Sequence, residues 1–171
     1  MIKPTLKGEQ VIRISNILTS IRKRHIAAIV AICLFVSCNT NVQYHHYEHI
    51  AHSGWDKRDT VSFCVDTIYQ AGNYTTTLCL RTTAAYPYRN ISMRIFSEVR
   101  PAKKQYAKRL DFEVANKNGS QTGKGITFFT HEIPIGRLHL QPGDTLLVKV
   151  GHNMRPEVIQ GIEDIGIKIG D

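Results

Sequence analysis

Residues 61–81, VSFCVDTIYQAGNYTTTLCLR, hold two stretches of strict alternation around one turn signal. Val61, Phe63 and Val65 alternate with Ser62, Cys64 and Asp66, and Tyr74, Thr76, Leu78 and Leu80 alternate with Thr75, Thr77, Cys79 and Arg81. A period of two sends successive side chains to opposite faces, so each stretch reads as a half-buried strand. Gln70-Ala71-Gly72-Asn73 supplies a tight turn, with a glycine free to take positive φ. Pairing Gln70 with Asn73 predicts a hairpin in which Phe63 faces Leu80 and Val65 faces Leu78, apolar against apolar.

The same period continues outward. Ile91, Met93 and Ile95 alternate, as do Leu110, Phe112 and Val114; ITFFTHEIPI begins at Ile126; Leu146, Val148 and Val150 follow, then Ile162, Ile165, Ile167 and Ile169. Tyr86-Pro87-Tyr88, Lys117-Asn118-Gly119 and Gln141-Pro142-Gly143-Asp144 punctuate these runs as turns. The pattern predicts an all-β fold, an antiparallel β-sandwich of seven to eight strands, with Glu157 to Gln160 after Pro156 making one helical turn at most. At 171 residues with 42% hydrophobic and 21% charged, the chain is long enough for one cored domain and too ordinary in composition for disorder.

Upstream of the strands the chemistry changes. RKRH at 22–25 precedes IAAIVAICLFV at 26–36, then Ser37 and Cys38. A basic segment, a short apolar core and a small residue at its boundary are the parts of a secretory leader, and the run is well short of the roughly 20 residues of a membrane-spanning helix. The string VSC resembles a lipobox, in which the Cys is lipidated on sulfur and becomes the new N-terminus. The resulting division is 1–37 signal peptide, 38–52 lipid-anchored linker and 53–171 β-sandwich. The first 21 residues make an unusually long n-region, which an upstream, misassigned start codon would explain.

The leader also accounts for most of the charge. The whole chain carries +8, whereas loss of residues 1–37 leaves 16 basic and 13 acidic residues, a net +3. Nucleic-acid binding is therefore not expected; the one basic run, Lys103, Lys104, Lys108 and Arg109, reads as a solvated strand edge.

Few residues carry a chemical signature. Cys64 and Cys79 would lie opposite one another in the predicted hairpin, and export places them in an oxidising compartment, so a cross-strand disulfide and two unrelated thiols are both open. His45, His46, His49 and His52 are the densest ligand-capable group, but a strand sends His45 and His49 one way and His46 and His52 the other, so no metal and no cofactor is expected. The chain contains no GxSxG, no phosphate-cradling glycine loop and no HExxH, and Glu48, Asp56 and Asp59 have no fixed spacing, so it is read as non-enzymatic. Asp59-Thr60-Val61, Asp66-Thr67-Ile68 and Asp144-Thr145-Leu146 resemble a bacterial O-glycosylation sequon, making Thr60, Thr67 and Thr145 candidate modification sites. Three of the seven Asp residues open such triplets, although Asp-Thr-apolar is also how a strand entry or exit reads.

Taken in order, the lipobox-like Cys38, Gly54-Trp55, DTVSFCVDTI, LRTTAAYPYRNI, NGSQTGKGI and the terminal NMRPEVIQGIEDIGIKI resemble the gliding motility lipoprotein GldH family over nearly all of residues 38–171. The resemblance implies an outer-membrane lipoprotein that helps assemble or run surface motility machinery without catalysis. Trp55, Tyr86, Tyr88 and Arg155 then form the candidate partner surface, with Arg155 pairing Glu157, Glu163 or a partner protein. The sequence after Cys38, Asn39-Thr40-Asn41-Val42, lacks an acidic surface-export cluster and an inner-membrane retention Asp, so the domain is expected to face the periplasm. The competing reading is a carbohydrate-binding or glycan-processing module, with Trp55, Tyr86 and Tyr88 stacked on sugar rings.

Overall fold

The computed structural model describes residues 42–170. They form β1 Val42–His49, β2 Trp55–Asp56, β3 Val61–Val65, β4 Gly72–Thr82, β5 Asn90–Arg100, β6 Lys104–Glu113, β7 Phe129–Leu140, β8 Thr145–His152, β9 Val158–Ile159 and β10 Ile162–Gly170, and no helix occurs among the described residues. Two four-stranded antiparallel sheets make the sandwich, the first ordered β1-β10-β4-β7 and the second β3-β8-β5-β6, with β2 and β9 as a separate ribbon. All seven strands expected from alternation are present. The lipobox Cys38 and the leader lie outside the described residues.

The predicted hairpin is not formed. β3 and β4 belong to different sheets: Phe63 lies opposite Val148 and Val65 opposite Leu146, whereas Leu80 lies between Ile165 and His131. Alternation fixes which side a residue faces and leaves its neighbour open. As a central strand of 11 residues, β4 presents Leu78 and Leu80 to Ile167 and Ile165, a richer apolar match than the five residues of β3 could give. The segment that was to be the turn crosses between sheets. Ile68 is buried at its middle, donating its N–H to Asp144 O at 2.8 Å and accepting from Gly143 N at 2.9 Å, which seals one end of the core.

Residues 42–49, read above as linker, are instead the edge strand β1, zipped to β10 from Val42↔Gly170 to His49↔Asp164. The polar run VQYHHYEH conceals this, because an edge strand with one half-open face needs few apolar residues. Residues 158–159 likewise form β9 against β2 and make no helical turn. Ile165, Ile167 and Ile169 of β10, Leu78 and Leu80 of β4, and Met93, Val148 and Phe63 of the second sheet are all buried in a single core.

Candidate interaction face

On the outer face of the second sheet, cross-strand pairing collects basic side chains. Arg94 on β5 lies directly opposite Arg109 on β6 and Gly151 on β8; one step along, Phe96 lies opposite Ala107 and Lys149. Directly opposed residues of antiparallel strands share a face, so these two rows form the floor of a groove of about 570 Å³, with Thr60 and Asn153 at one end. Gly151 lets the Arg94 guanidinium lie flat: a Cβ there would sit 3.1 Å from Arg94 Nε. Arg94 Nη2 donates to Lys57 O at 2.7 Å, which holds the charge in place without neutralising it. Arg109 has only a loose contact with Asp111 at 3.7 Å, and Lys149 forms no ion pair among the described residues. No carboxylate lines the groove. Like charges directly opposed across a sheet destabilise it, so the Arg94–Arg109 pair breaks a local rule that the loose Asp111 contact offsets only in part.

The outer face of the first sheet is the opposite case. Tyr47, Gly166, Cys79 and Glu132 form one cross-strand row, and His49, Asp164, Arg81 and Thr130 the next. Here the central charges are answered: Arg81 Nη1 donates to Asp164 Oδ2 at 3.1 Å, Lys168 donates to Glu132 at 2.7 Å, and the Arg81 guanidinium sits 4.0 Å from the centre of the Tyr47 ring. Burial, followed by the neighbouring Cys79, pushes the Tyr47 hydroxyl up to about 12, and burial likewise raises the Cys79 thiol.

The residues singled out in the sequence are scattered. Cys64 is exposed on β3 and Cys79 is buried on β4, both free and in separate sheets, so of the two readings open in the sequence the structure has the two unrelated thiols. Cys79 Sγ instead lies 3.9 Å from His45 Nε2. His45 and His49 share the face of Cys79 and Asp164, and no group of three or more metal-capable side chains occurs among the described residues. Thr60 and Thr67 are exposed at the two ends of β3, and Thr145 is half-buried at the start of β8, sharing a shallow depression with Thr67 and Cys64.

The expected partner surface is also broken up. Trp55 is 1% exposed and Tyr86 4% exposed, so neither ring can stack on a sugar or a partner. Tyr86 donates its hydroxyl to Asn90 O at 3.0 Å and meets Tyr88 edge-on at 5.6 Å. Burial raises the Tyr86 hydroxyl well above its ordinary value. Tyr88 is half-buried against the core; Arg155 is exposed and pairs with neither Glu157 nor Glu163. The aromatic rings anchor the fold, and the polar groove was missed because its members come from strands remote in sequence.

Two of the quoted motifs meet in space: Thr83 N–H donates to Gly161 O at 2.9 Å, and a Cβ on Gly161 would come within 2.3 Å of Tyr86 N. Residues 42–169 match the GldH lipoprotein family. The chain belongs to the GldH lipoprotein family. GldH membership makes it a membrane-anchored lipoprotein of the cell envelope, associated with gliding motility, and the family is not a known enzyme family. No curated protein matches the sequence. Among solved structures, a family 35 carbohydrate binding module from Clostridium thermocellum aligns at 15% identity and TM-score 0.35, covering 69% of this chain and 76% of that one. A Paenibacillus cycloisomaltooligosaccharide glucanotransferase aligns at 14% identity and TM-score 0.38, covering 76% of this chain and 17% of that one.

Proposed function

We propose that the chain is a non-catalytic lipoprotein, anchored in the outer membrane through Cys38 and facing the periplasm, which holds an acidic segment of another envelope or motility protein in the groove of the second sheet. The Arg94–Arg109 opposition carries this reading. Two arginines at directly opposed positions of one ladder, with no carboxylate among the residues lining the groove, offer paired donors to an anionic group, and Phe96 supplies the apolar contact that would give such a partner register. Arginine suits the task because its planar fork accepts a carboxylate in two parallel hydrogen bonds.

The test is site-specific photocrosslinking from Ala107 in intact native cells. A discrete envelope protein should be captured by wild type and lost on Arg94→Glu with Arg109→Glu, while folding is retained. Capture unchanged by the double reversal would overturn the reading. Anchoring is tested separately: Cys38→Ser should lose acyl labelling and leave the membrane fraction, and degradation of wild type by protease added to intact cells would overturn the periplasmic orientation. Thr60, Thr67 and Thr145 are proposed as glycosylation sites, all at strand ends where a sugar stays in water. Native intact mass should then exceed polypeptide plus lipid by whole glycan units and fall stepwise on Thr→Ala at each position; a mass equal to polypeptide plus lipid refutes this.

A further inference from the structure

The sandwich gapes along one side. β6 and β7 are edge strands of opposite sheets, and their inward faces leave a mouth of about 290 Å³. Ile95, Tyr106, Ile135 and Leu138 form its apolar walls. Such a volume lies at the low end of small-molecule pockets and suits one narrow chain.

The opening is made by one irregularity. Thr77 lies opposite Pro134 while Thr76 lies opposite Gly136, so Ile135 is the extra residue of a β-bulge. Gly136 is not among the glycines with positive φ, and a Cβ placed there meets nothing within 4 Å. The backbone therefore does not require glycine, and the missing side chain leaves space over Thr76. Thr76 is 3% exposed and lines the mouth, yet its Oγ1 has no hydrogen-bond partner. A buried hydroxyl in that state lacks the hydrogen-bond partner such groups ordinarily have, and it marks the space left open above it.

The polar groups around the opening are cations and hydroxyls: Lys108 and Arg137 at the rim, Thr76 and Ser97 inside, and no carboxylate. Lys108 spends one proton on Ile135 O at 2.8 Å and Arg137 one on Thr75 Oγ1 at 3.3 Å, which leaves donors on both. An inward lysine also protects an edge strand from pairing with other chains, but that role does not account for the gap at Gly136.

From these observations we infer that the β6–β7 mouth binds an unesterified fatty acid, its carboxylate held by Lys108 and Arg137 and its chain laid against Ile95, Ile135 and Leu138. The mouth opens between the sheets whereas the groove lies on the outer face of the second sheet; Ile95, Ala107 and Lys108 border both, and the inference does not rest on an acidic partner in the groove.

The lipidated full chain, held in phosphatidylcholine nanodiscs, would be titrated with decanoate and followed by saturation-transfer NMR, with empty nanodiscs subtracting partition into lipid. Saturable binding is expected for wild type, abolished by Gly136→Leu, which fills the gap, and weakened about tenfold or more by Lys108→Met, which removes a charge-assisted hydrogen bond. Thermal melting verifies that each variant folds, and Lys108→Met carries the test if Gly136→Leu does not. Binding equal in wild type and both variants, equal binding of decyltrimethylammonium, or displacement of decanoate by weaker concentrations of decyl phosphate would overturn the assignment.

Discussion

His152 donates its Nε2 proton to the main-chain carbonyl of Trp55 at 3.1 Å, joining residues 97 positions apart inside the core. The two rings meet edge-on at 5.2 Å, and the other ring nitrogen, Nδ1, accepts from Met154 N–H at 3.3 Å. Both bonds are made only by the neutral imidazole, because protonation would set a second N–H against the Met154 donor. This contact ties the short β2–β9 ribbon to the last strand of the second sheet. Trp55→Ala should cost about 3–5 kcal/mol in chemical denaturation, the range for removing a buried tryptophan.

Acid should loosen the domain through its buried histidines. Burial lowers the ionisation of both His152 and His131 below the ordinary value, so between the folded and unfolded values, from about 6.5 downward, the unfolded chain binds more protons. Stability is complete above about pH 6.5 and falls as pH drops through the folded values. Melting temperature should therefore decline between pH 7.5 and pH 5, with Trp55 fluorescence as the readout. His152→Gln should reduce the slope; a slope unchanged in His152→Gln and His131→Gln together would contradict this.

Gly166 should tolerate no side chain while Tyr47 is present. A Cβ there would lie 2.6 Å from Tyr47 Cδ1 and 2.9 Å from His46 O, so Gly166→Ala must push β1 away from β10. The expected loss is about 1–3 kcal/mol in denaturant titration. Adding Tyr47→Ala should recover part of it, since the ring is the nearer obstacle; no recovery would place the whole cost on the backbone.

Gly161 is a more severe case. Its φ of +79° is the left-handed region, which alone costs an L-residue about 1–2 kcal/mol, and the close approach of Tyr86 N at 2.3 Å adds steric conflict. Gly161→Ala should lose more stability than Gly143→Ala, where φ is +90° but no atom lies within 4 Å. Equal losses would show that conformation alone decides both positions.

Thiol labelling should separate the two strand cysteines. Cys64 is exposed and Cys79 fully buried. A maleimide added to the folded protein should modify Cys64 rapidly and Cys79 only after unfolding, and reductant should leave the intact mass unchanged. Simultaneous protection of both, relieved by reductant, would mean they are bridged.

Period-two alternation by itself determined the all-β class, the seven strands β3 to β8 and β10, and the side each residue faces, because facing is a local consequence of extended backbone. Neighbours were beyond it, since the choice between two apolar partners depends on packing contributed by strands far along the chain. Thus Phe63 met Val148 in place of Leu80, and Cys64 and Cys79 parted into different sheets. The polar run 42–49 became a strand only because β10 offered it a free edge. Trp55 and Tyr86 turned inward where sequence allowed either direction, each using a hydrogen bond to backbone or a packed neighbour that no local pattern encodes. The opposition of Arg94 and Arg109, and the gap that Gly136 leaves over Thr76, exist only once registers between strands are set.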